Sequence, residues 1–276
     1  MRVVLFCGGL GLRMRAIGEG QAHLARRAAD APKPMALVGG QPLLWHLMRW
    51  YAHWGHREFI LCLGHGGDVI RAWCSQTSSG RLAPRLPDHP DRCERFVFTG
   101  GAEDGWDVTL VETGPETIVG QRLRKVRPFV DDEEVFLANY ADGLSDVCLP
   151  LLIDLAAATG AAATFLSIPL QTTLHTVSSD QLEGLVTSVS PLNDQGVRVN
   201  GGFFVLSREI FDVLHPGEEL VAEPFHRLID QRRLATLQHD GFWVALETAK
   251  DQHRADELWQ SGQRPWAVWQ HSLSQA

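Results

Sequence analysis

Lysine is nearly absent from this chain of 276 residues, occurring at positions 33, 125 and 250 while the rest of the basic charge is arginine. A lysine flanked by prolines and glycines is then hard to read as incidental surface, which singles out Lys33. Net charge is -8, which argues against a nucleic-acid backbone as the main partner. No apolar run reaches the length of a membrane span, so no membrane partner is expected. Met1 leads straight into an apolar segment without a basic n-region and cleavage site, so secretion is not expected and the chain is read as cytoplasmic. The five cysteines (Cys7, Cys62, Cys74, Cys93, Cys148) form no CxxC pair. They read as small buried hydrophobes in a reducing compartment. No HExxH or paired Cys/His spacing occurs, so a structural zinc is not indicated. His46, His53 and His56 are read as the polar face of an amphipathic helix. Neither GxxxxGK[ST] nor GxGxxG is present, which removes the P-loop and dinucleotide fingerprints.

What is present is concentrated between Val3 and Leu44. Val3–Cys7 is a short apolar run suited to a buried parallel strand. Gly8, Gly9 and Gly11 follow, and glycines there let a turning backbone bring its N–H groups against a ligand. Arg13 and Lys33 add two cations. A strand, a glycine turn, then Arg and Lys make a cradle for a triphosphate, although a strand ending in Gly-Gly is also an ordinary tight turn.

Strand-like runs recur at Glu58–Leu63, Val108–Glu112, Val135–Tyr140, Ala163–Ile168 and Gly202–Leu206. Leu43–His53 and Asp68–Trp73 have helical spacing between them, and Gly80–Pro90 is loop-rich. Alternating strands and helices predict an α/β fold with a doubly wound, mainly parallel sheet that binds ligands at the carboxyl ends of its strands. The glycine turn and Asp142 both fall at such ends. Thr172–Gly196 is polar with weak alternation and reads as an inserted hairpin. A tryptophan-rich helix and tail begin near residue 250, with Trp259, Trp266 and Trp269, and are expected to pack on the body or a subunit partner. The chain is read as one domain, 1–276.

The series Gly8-Gly9-Leu10-Gly11-Leu12-Arg13, Pro32-Lys33-Pro34-Met35 and Gly39-Gly40-Gln41-Pro42-Leu43-Leu44 resembles the sugar-phosphate nucleotidyltransferases, the glucose-1-phosphate cytidylyltransferases in particular. Trp106-Asp107-Val108-Thr109-Leu110-Val111-Glu112-Thr113-Gly114 with Gly120-Gln121-Arg122-Leu123, and Asn200-Gly201-Gly202-Phe203-Phe204-Val205, strengthen the resemblance, which extends from about Val3 to Trp269. It implies a Rossmann-like nucleotidyltransferase fold, CTP or another NTP and a sugar-1-phosphate as partners, Mg²⁺ as cofactor, and a homo-oligomer. By the same resemblance Gly8, Gly9, Gly11, Arg13, Lys33, Arg122 and Asp142 bind the nucleotide, with Arg13 and Lys33 catalytic. Asp142 and Glu247 hold the metal, and Asn200, Gly201 and Glu223 border the sugar. The blander readings are a turn for Asp142, a helix-opening surface residue for Glu247, a helix flank for Arg122 and a helix N-cap for Asp146.

The departures lie mostly on the acceptor side. Pro191-Leu192-Asn193 stands where the family has Glu-Lys-Pro, and Arg198 is a candidate to replace the missing lysine. Glu247 replaces an aspartate, Ala141 and Gln121 replace glycines, and Leu12 replaces a threonine. The loop from Arg13 to Pro32 is lengthened. The expected reaction is nucleotidyl transfer, with glucose-1-phosphate or a variant acceptor. The alternative is a non-catalytic member acting as a nucleotide sensor or assembly partner.

Overall fold

The computed structural model describes residues 1–9, 32–77, 79–84, 93–180 and 182–271. Strand β1 (Val3–Phe6) is buried along its whole length. Its alternate side chains feed opposite faces, with Val3, Leu5 and Cys7 in one core cluster and Val4 and Phe6 in another. A strand can bury both faces only when its two edges are paired and both faces are covered. Here β1 lies in parallel between β4 (Glu58–Leu63) and β8 (Val135–Tyr140), and β4 pairs in parallel with β7 (Asp107–Glu112). Each apolar side chain fully buried this way contributes about 1.5–3 kcal/mol.

Antiparallel strands extend this core on both sides. Beyond β7 come β6 (Cys93–Phe98) and β5 (Gly80–Ala83). Beyond β8 come β14 (Phe204–Ser207) and β10 (Ala163–Pro169), and β10 also pairs antiparallel with β13 (Arg198–Asn200) and in parallel with β15 (Leu234–Gln238). Helices α1 (Leu43–His53), α2 (Gly67–Gln76) and α4 (Leu149–Thr159) cover one face, inserting Leu44, Leu47, Met48, Ile70, Leu149 and Leu152. Helices α3 (Val119–Val126), α5 (Ile210–Val213) and α6 (Glu223–Asp230) cover the other through Leu123, Val126, Ile210, Phe211, Phe225 and Leu228. The doubly wound α/β sheet predicted from the sequence is therefore observed, as a mixed sheet whose core is parallel. Among the described residues no helix is long and apolar enough to cross a membrane.

The predicted runs Glu58–Leu63, Val135–Tyr140 and Leu43–His53 coincide with their elements. The run expected from Gly202 starts at Phe204 instead, because Gly202 (φ 76°) and Phe203 (φ 50°) are left-handed and cannot continue an extended strand. The insertion is a two-stranded antiparallel sheet, β11 (His175–Ser179) with β12 (Val186–Pro191). Cys7, Cys62 and Cys74 are free and buried, and Cys93 is buried. Burial pushes the Cys62 and Cys74 thiols up to about 12.

A third cluster lies beside the sheet. It joins Val38 and Leu43, from the β2 (Leu37–Val38) and β3 (Gln41–Pro42) turn and the start of α1, to Leu144, Leu246, Ala255 and Trp266. Helix α7 (Ala249–Gln260) and the short α8 (Val268–His271) carry the tryptophan-rich segment, which packs on the body as expected. Trp259 packs so closely on Gly39 (φ 58°) that a Cβ there would meet its ring at 2.0 Å.

One expectation is corrected here. His46 is not on a polar face but fully buried. Its Nε2 lies 2.8 Å from the Val38 carbonyl and donates to it, while Nδ1 accepts from Trp266 Nε1 at 3.3 Å. Both ring nitrogens are thus satisfied inside the core, which is what makes its burial affordable in free energy. Burial is also the main reason its pKa falls to about 4. The unfolded ring takes a proton below about 6.5, whereas the folded one refuses it until about 4. Stability is therefore expected to fall as pH drops from 6.5 to 4, by at most about 3 kcal/mol from this group. Thermal melts of wild type and His46→Gln across that range should differ in slope, and parallel curves would overturn the assignment.

Candidate active site

The four parallel strands end side by side. At those ends stand Cys7-Gly8-Gly9 after β1, Gly64 after β4, Thr113-Gly114 after β7 and Ala141-Asp142 after β8. A crevice of about 340 Å³ opens there, and Gly9, Lys33, Tyr140, Asp142 and Glu219 are among its walls. That size lies within the ordinary range for small-molecule sites. Gly11 and Arg13, both expected in the phosphate cradle, lie outside the described residues.

Arg122 holds the strand ends together. Its Nη1 donates to the Leu63 carbonyl at 3.1 Å and to Thr113 Oγ1 at 2.6 Å. Its Nη2 donates to the carbonyls of Gly8 at 2.8 Å and Pro115 at 3.3 Å. One planar guanidinium thus ties the turns after β1, β4 and β7. Gly8 has to be glycine, since a Cβ there would lie 2.1 Å from Nη1. Gly64 is similarly hemmed, by Arg122 Nη1 at 2.7 Å and two carbonyl oxygens at 2.8 Å. Burial pushes the Arg122 pKa down, yet a guanidinium keeps its proton in proteins. These four acceptors are all neutral oxygens, so a positive charge stands directly behind the glycine turn. The resemblance implies Arg122 against the nucleotide; the structure has it beneath the turn, on the crevice wall, with the bonds above directed at the protein.

Lys33 sits in a 3₁₀ turn, Lys33–Met35, whose proline start fixes the backbone. Its Nζ donates to Asp142 Oδ2 at 3.2 Å. The two side chains are 18% and 29% exposed, so the pair contributes about 1 kcal/mol or less to stability. What it fixes is position. Lys33 reaches the crevice from one side and Asp142 from the end of β8.

Glu247 arrives by a second ladder. Strand β16 (Trp243–Ala245) pairs antiparallel with β9 (Gly143–Ser145), Ala245 opposite Gly143. The ladder ends with the Leu246 N–H donating to the Asp142 carbonyl at 2.8 Å. Residues 105 positions apart in sequence, Asp142 and Glu247, thereby lie on adjoining stretches of backbone, with Leu144 and Leu246 anchored in the third core cluster. Glu247 does not open a helix: α7 starts at Ala249, capped by a Thr248–Asp251 capping box. Nor is Asp146 a helix N-cap. The cap of α4 is Cys148, without a side-chain bond, and Asp146 Oδ1 instead meets His239 Nε2 at 2.8 Å.

The residues expected at the sugar separate. Asn200 donates to the Tyr140 hydroxyl at 3.4 Å and accepts from the Gly202 N–H at 2.9 Å, so it borders the crevice through Tyr140. Gly201 is held by Leu166 and by Trp243, whose Nε1 donates to its carbonyl at 2.8 Å. Glu223 opens α6, is exposed, and is not among the crevice residues. Arg198 is occupied by the carbonyls of Ser167 and His239 and by Asp240. An acid that sequence reasoning missed is Glu219, whose carboxylate accepts from the backbone N–H groups of Val119 and Gly120 at the start of α3. In sequence it follows Glu218, a surface-like neighbour, and nothing marks it out.

The fold and the crevice define an α/β protein with a candidate ligand site at the carboxyl ends of a parallel strand core. No family model matches the chain. A "Probable glucose-1-phosphate cytidylyltransferase" of Bacillus subtilis (strain 168) is 32% identical over 271 residues, covering 98% of this chain and 100% of that protein. A glucose-1-phosphate cytidylyltransferase of Salmonella typhi is 32% identical over 280 residues, again 98% and 100%. A UDP-glucose pyrophosphorylase solved with UDP-glucose superposes with a TM-score of 0.63 over 95% of this chain and 98% of that one, at 12% identity, a likeness of fold. The chain belongs to the sugar-phosphate nucleotidyltransferase family, as a cytidylyltransferase-like sugar-1-phosphate nucleotidyltransferase.

Proposed function

We infer that the chain joins CTP to a sugar-1-phosphate, glucose-1-phosphate or a variant acceptor, giving a CDP-sugar and pyrophosphate. The observation that carries this reading is the Lys33–Asp142 pair, 3.2 Å apart, in a crevice whose floor is a glycine turn backed by the Arg122 charge. An oxygen of the sugar phosphate attacks the α-phosphorus and pyrophosphate leaves from the opposite side. The attacking oxygen is already anionic, so the protein needs no general base. It has to align two polyanions and offset their charge. Lys33 supplies a mobile ammonium, Gly9 an open stretch of backbone, and Arg122 a fixed charge behind it.

The donor set fits Mg²⁺. Asp142 offers hard oxygen at the crevice wall, and the β9–β16 ladder brings the backbone leading into Glu247 next to that of Asp142. Among the described residues no group of three or more His, Cys, Asp or Glu gathers that could hold a metal. One or two carboxylates, with waters and substrate phosphates completing the shell, is how proteins usually hold this ion. Once bound, Mg²⁺ would offset charge on the phosphate oxygens. Lys33 is then free to turn from Asp142 toward a phosphate. The altered acceptor side, with Pro191-Leu192-Asn193 on the inserted hairpin and Arg198 engaged elsewhere, supports an acceptor other than glucose-1-phosphate as strongly as glucose-1-phosphate itself.

The test is pyrophosphate release from CTP and Mg²⁺ with a panel of sugar-1-phosphates. Release with at least one acceptor, absent without it, is the expected result. Tight CTP binding with no release across the panel would overturn transfer and favour a nucleotide sensor.

A further inference from the structure

Glu219 puts a negative charge on the wall of a crevice that has to receive phosphates. Its Oε1 accepts from the N–H groups of Gly120 at 3.1 Å and Leu220 at 2.8 Å, and its Oε2 from that of Val119 at 3.3 Å. A carboxylate offers about four lone-pair sites. Among the described residues three are filled, and one on Oε2 remains. The first N–H groups of α3, which would otherwise attract an anion, are already taken. Like charge repels a phosphate from the same wall. What this wall suits is a hydrogen-bond donor rather than an anion.

The surrounding surface narrows that donor further. Pro115, Ile118 and Val119 line the crevice beside Glu219, with Phe6 and Tyr140 also on its walls. Ile118 is 41% exposed, an uncovered apolar side chain at the rim. Lys33 and Asp142 mark the phosphate end. Apolar walls suit the faces of a flat heteroaromatic ring better than a ring of hydroxyl groups, and an exocyclic amino group on that ring supplies the single N–H that Oε2 can still accept.

We propose that Glu219 is a specificity-determining residue for the nucleobase, its Oε2 accepting from the exocyclic amino group of cytosine. Uracil and thymine carry a carbonyl oxygen on the same ring carbon and meet the carboxylate with two acceptors face to face. This rests on the transfer reading above and adds which residue chooses the nucleotide.

The test is equilibrium binding, with Mg²⁺ present, of CTP, UTP and the triphosphate of pyrimidin-2-one riboside, which is cytidine without its amino group. Wild type should hold CTP about tenfold or more tighter than either of the others. In Glu219→Gln the amide oxygen keeps the bonds from the Gly120 and Leu220 N–H groups and gives up the one from Val119, while its N–H₂ offers a donor, so the CTP-to-UTP ratio should shrink to within about threefold. The KM for the sugar phosphate should be unchanged. Equal affinities in wild type overturn the proposal without recourse to any variant. So does an equal loss for all three ligands in Glu219→Gln, which would make the residue a cap alone. A raised sugar-phosphate KM with an unchanged CTP-to-UTP ratio would assign Glu219 to the acceptor. Wild type that prefers CTP yet transfers nothing would sink the transfer reading and leave the base preference standing.

Discussion

Turnover by Asp142→Asn is expected to fall about 10²–10³-fold, with folding nearly unaffected, and Lys33→Met should lose a similar amount. Asparagine keeps the shape of the side chain and leaves the backbone carbonyl that accepts from the Leu246 N–H. The β9–β16 ladder should therefore survive. What is lost is one full negative charge at the crevice wall, and with it the partner of Lys33. The change in stability should stay within about 1 kcal/mol, because the ion pair is partly exposed. In Lys33→Met the charge lost is positive, so the phosphates lose a partner and nucleotide binding should weaken along with turnover. Rates of pyrophosphate release at saturating substrate, set beside thermal melts, separate the two effects. Variants with near wild-type rates would remove the pair from the chemistry.

Much of this fold is legible in the sequence because its central strands are buried on both faces. Val3–Phe6, Phe59–Leu63 and Phe136–Ala138 are nearly unbroken apolar runs, and only a doubly covered parallel sheet asks for them. The outer strands carry no such mark. In β6 (Cys93–Phe98) Glu94 and Arg95 are interleaved with buried Cys93 and Phe96, a pattern that polar loops share. Likewise β13 and β15 are half-buried and short. Site residues divide the same way. Lys33 and Asp142 stand in local signatures, a proline-bracketed lysine and an Asp-Gly at a strand end. Glu219 and the deeper role of Arg122 depend on where remote backbone carbonyls and N–H groups point, which side-chain identity does not encode. His46 misleads for a related reason. Its ring is satisfied by Val38 and Trp266, 8 and 220 residues away, and periodicity sees only a polar residue on a helix.

Arg122→Met is expected to destabilise the protein by about 3–5 kcal/mol, since hydrogen bonds to a charged group contribute about 1.5–3 kcal/mol each while the Leu63 and Gly8 carbonyls keep backbone donors from Thr113 and His65. At this chain length that lowers the melting temperature by roughly 6–15 °C. The thioether fills part of the space but donates nothing, so the carbonyls of Leu63, Gly8 and Pro115 and the Thr113 hydroxyl lose this partner at the crevice floor. Lysine is a poor rescue, since a single ammonium cannot reproduce a planar fork reaching two sides at once. Gly8→Ala attacks the same contact from the other partner. Its new Cβ would lie 2.1 Å from Nη1, 2.4 Å from Cζ and 2.7 Å from Nη2, and displacing the buried guanidinium should cost about 1–3 kcal/mol. If both costs arise in one contact they cannot add. The double variant Gly8→Ala/Arg122→Ala opens the space that the Cβ needs, so it should be no less stable than Arg122→Ala alone, to within about 0.5 kcal/mol. Denaturant titrations of the two single variants and the double close the cycle. Full additivity would show that the turn and the guanidinium are independent, and the crevice floor would then need another support.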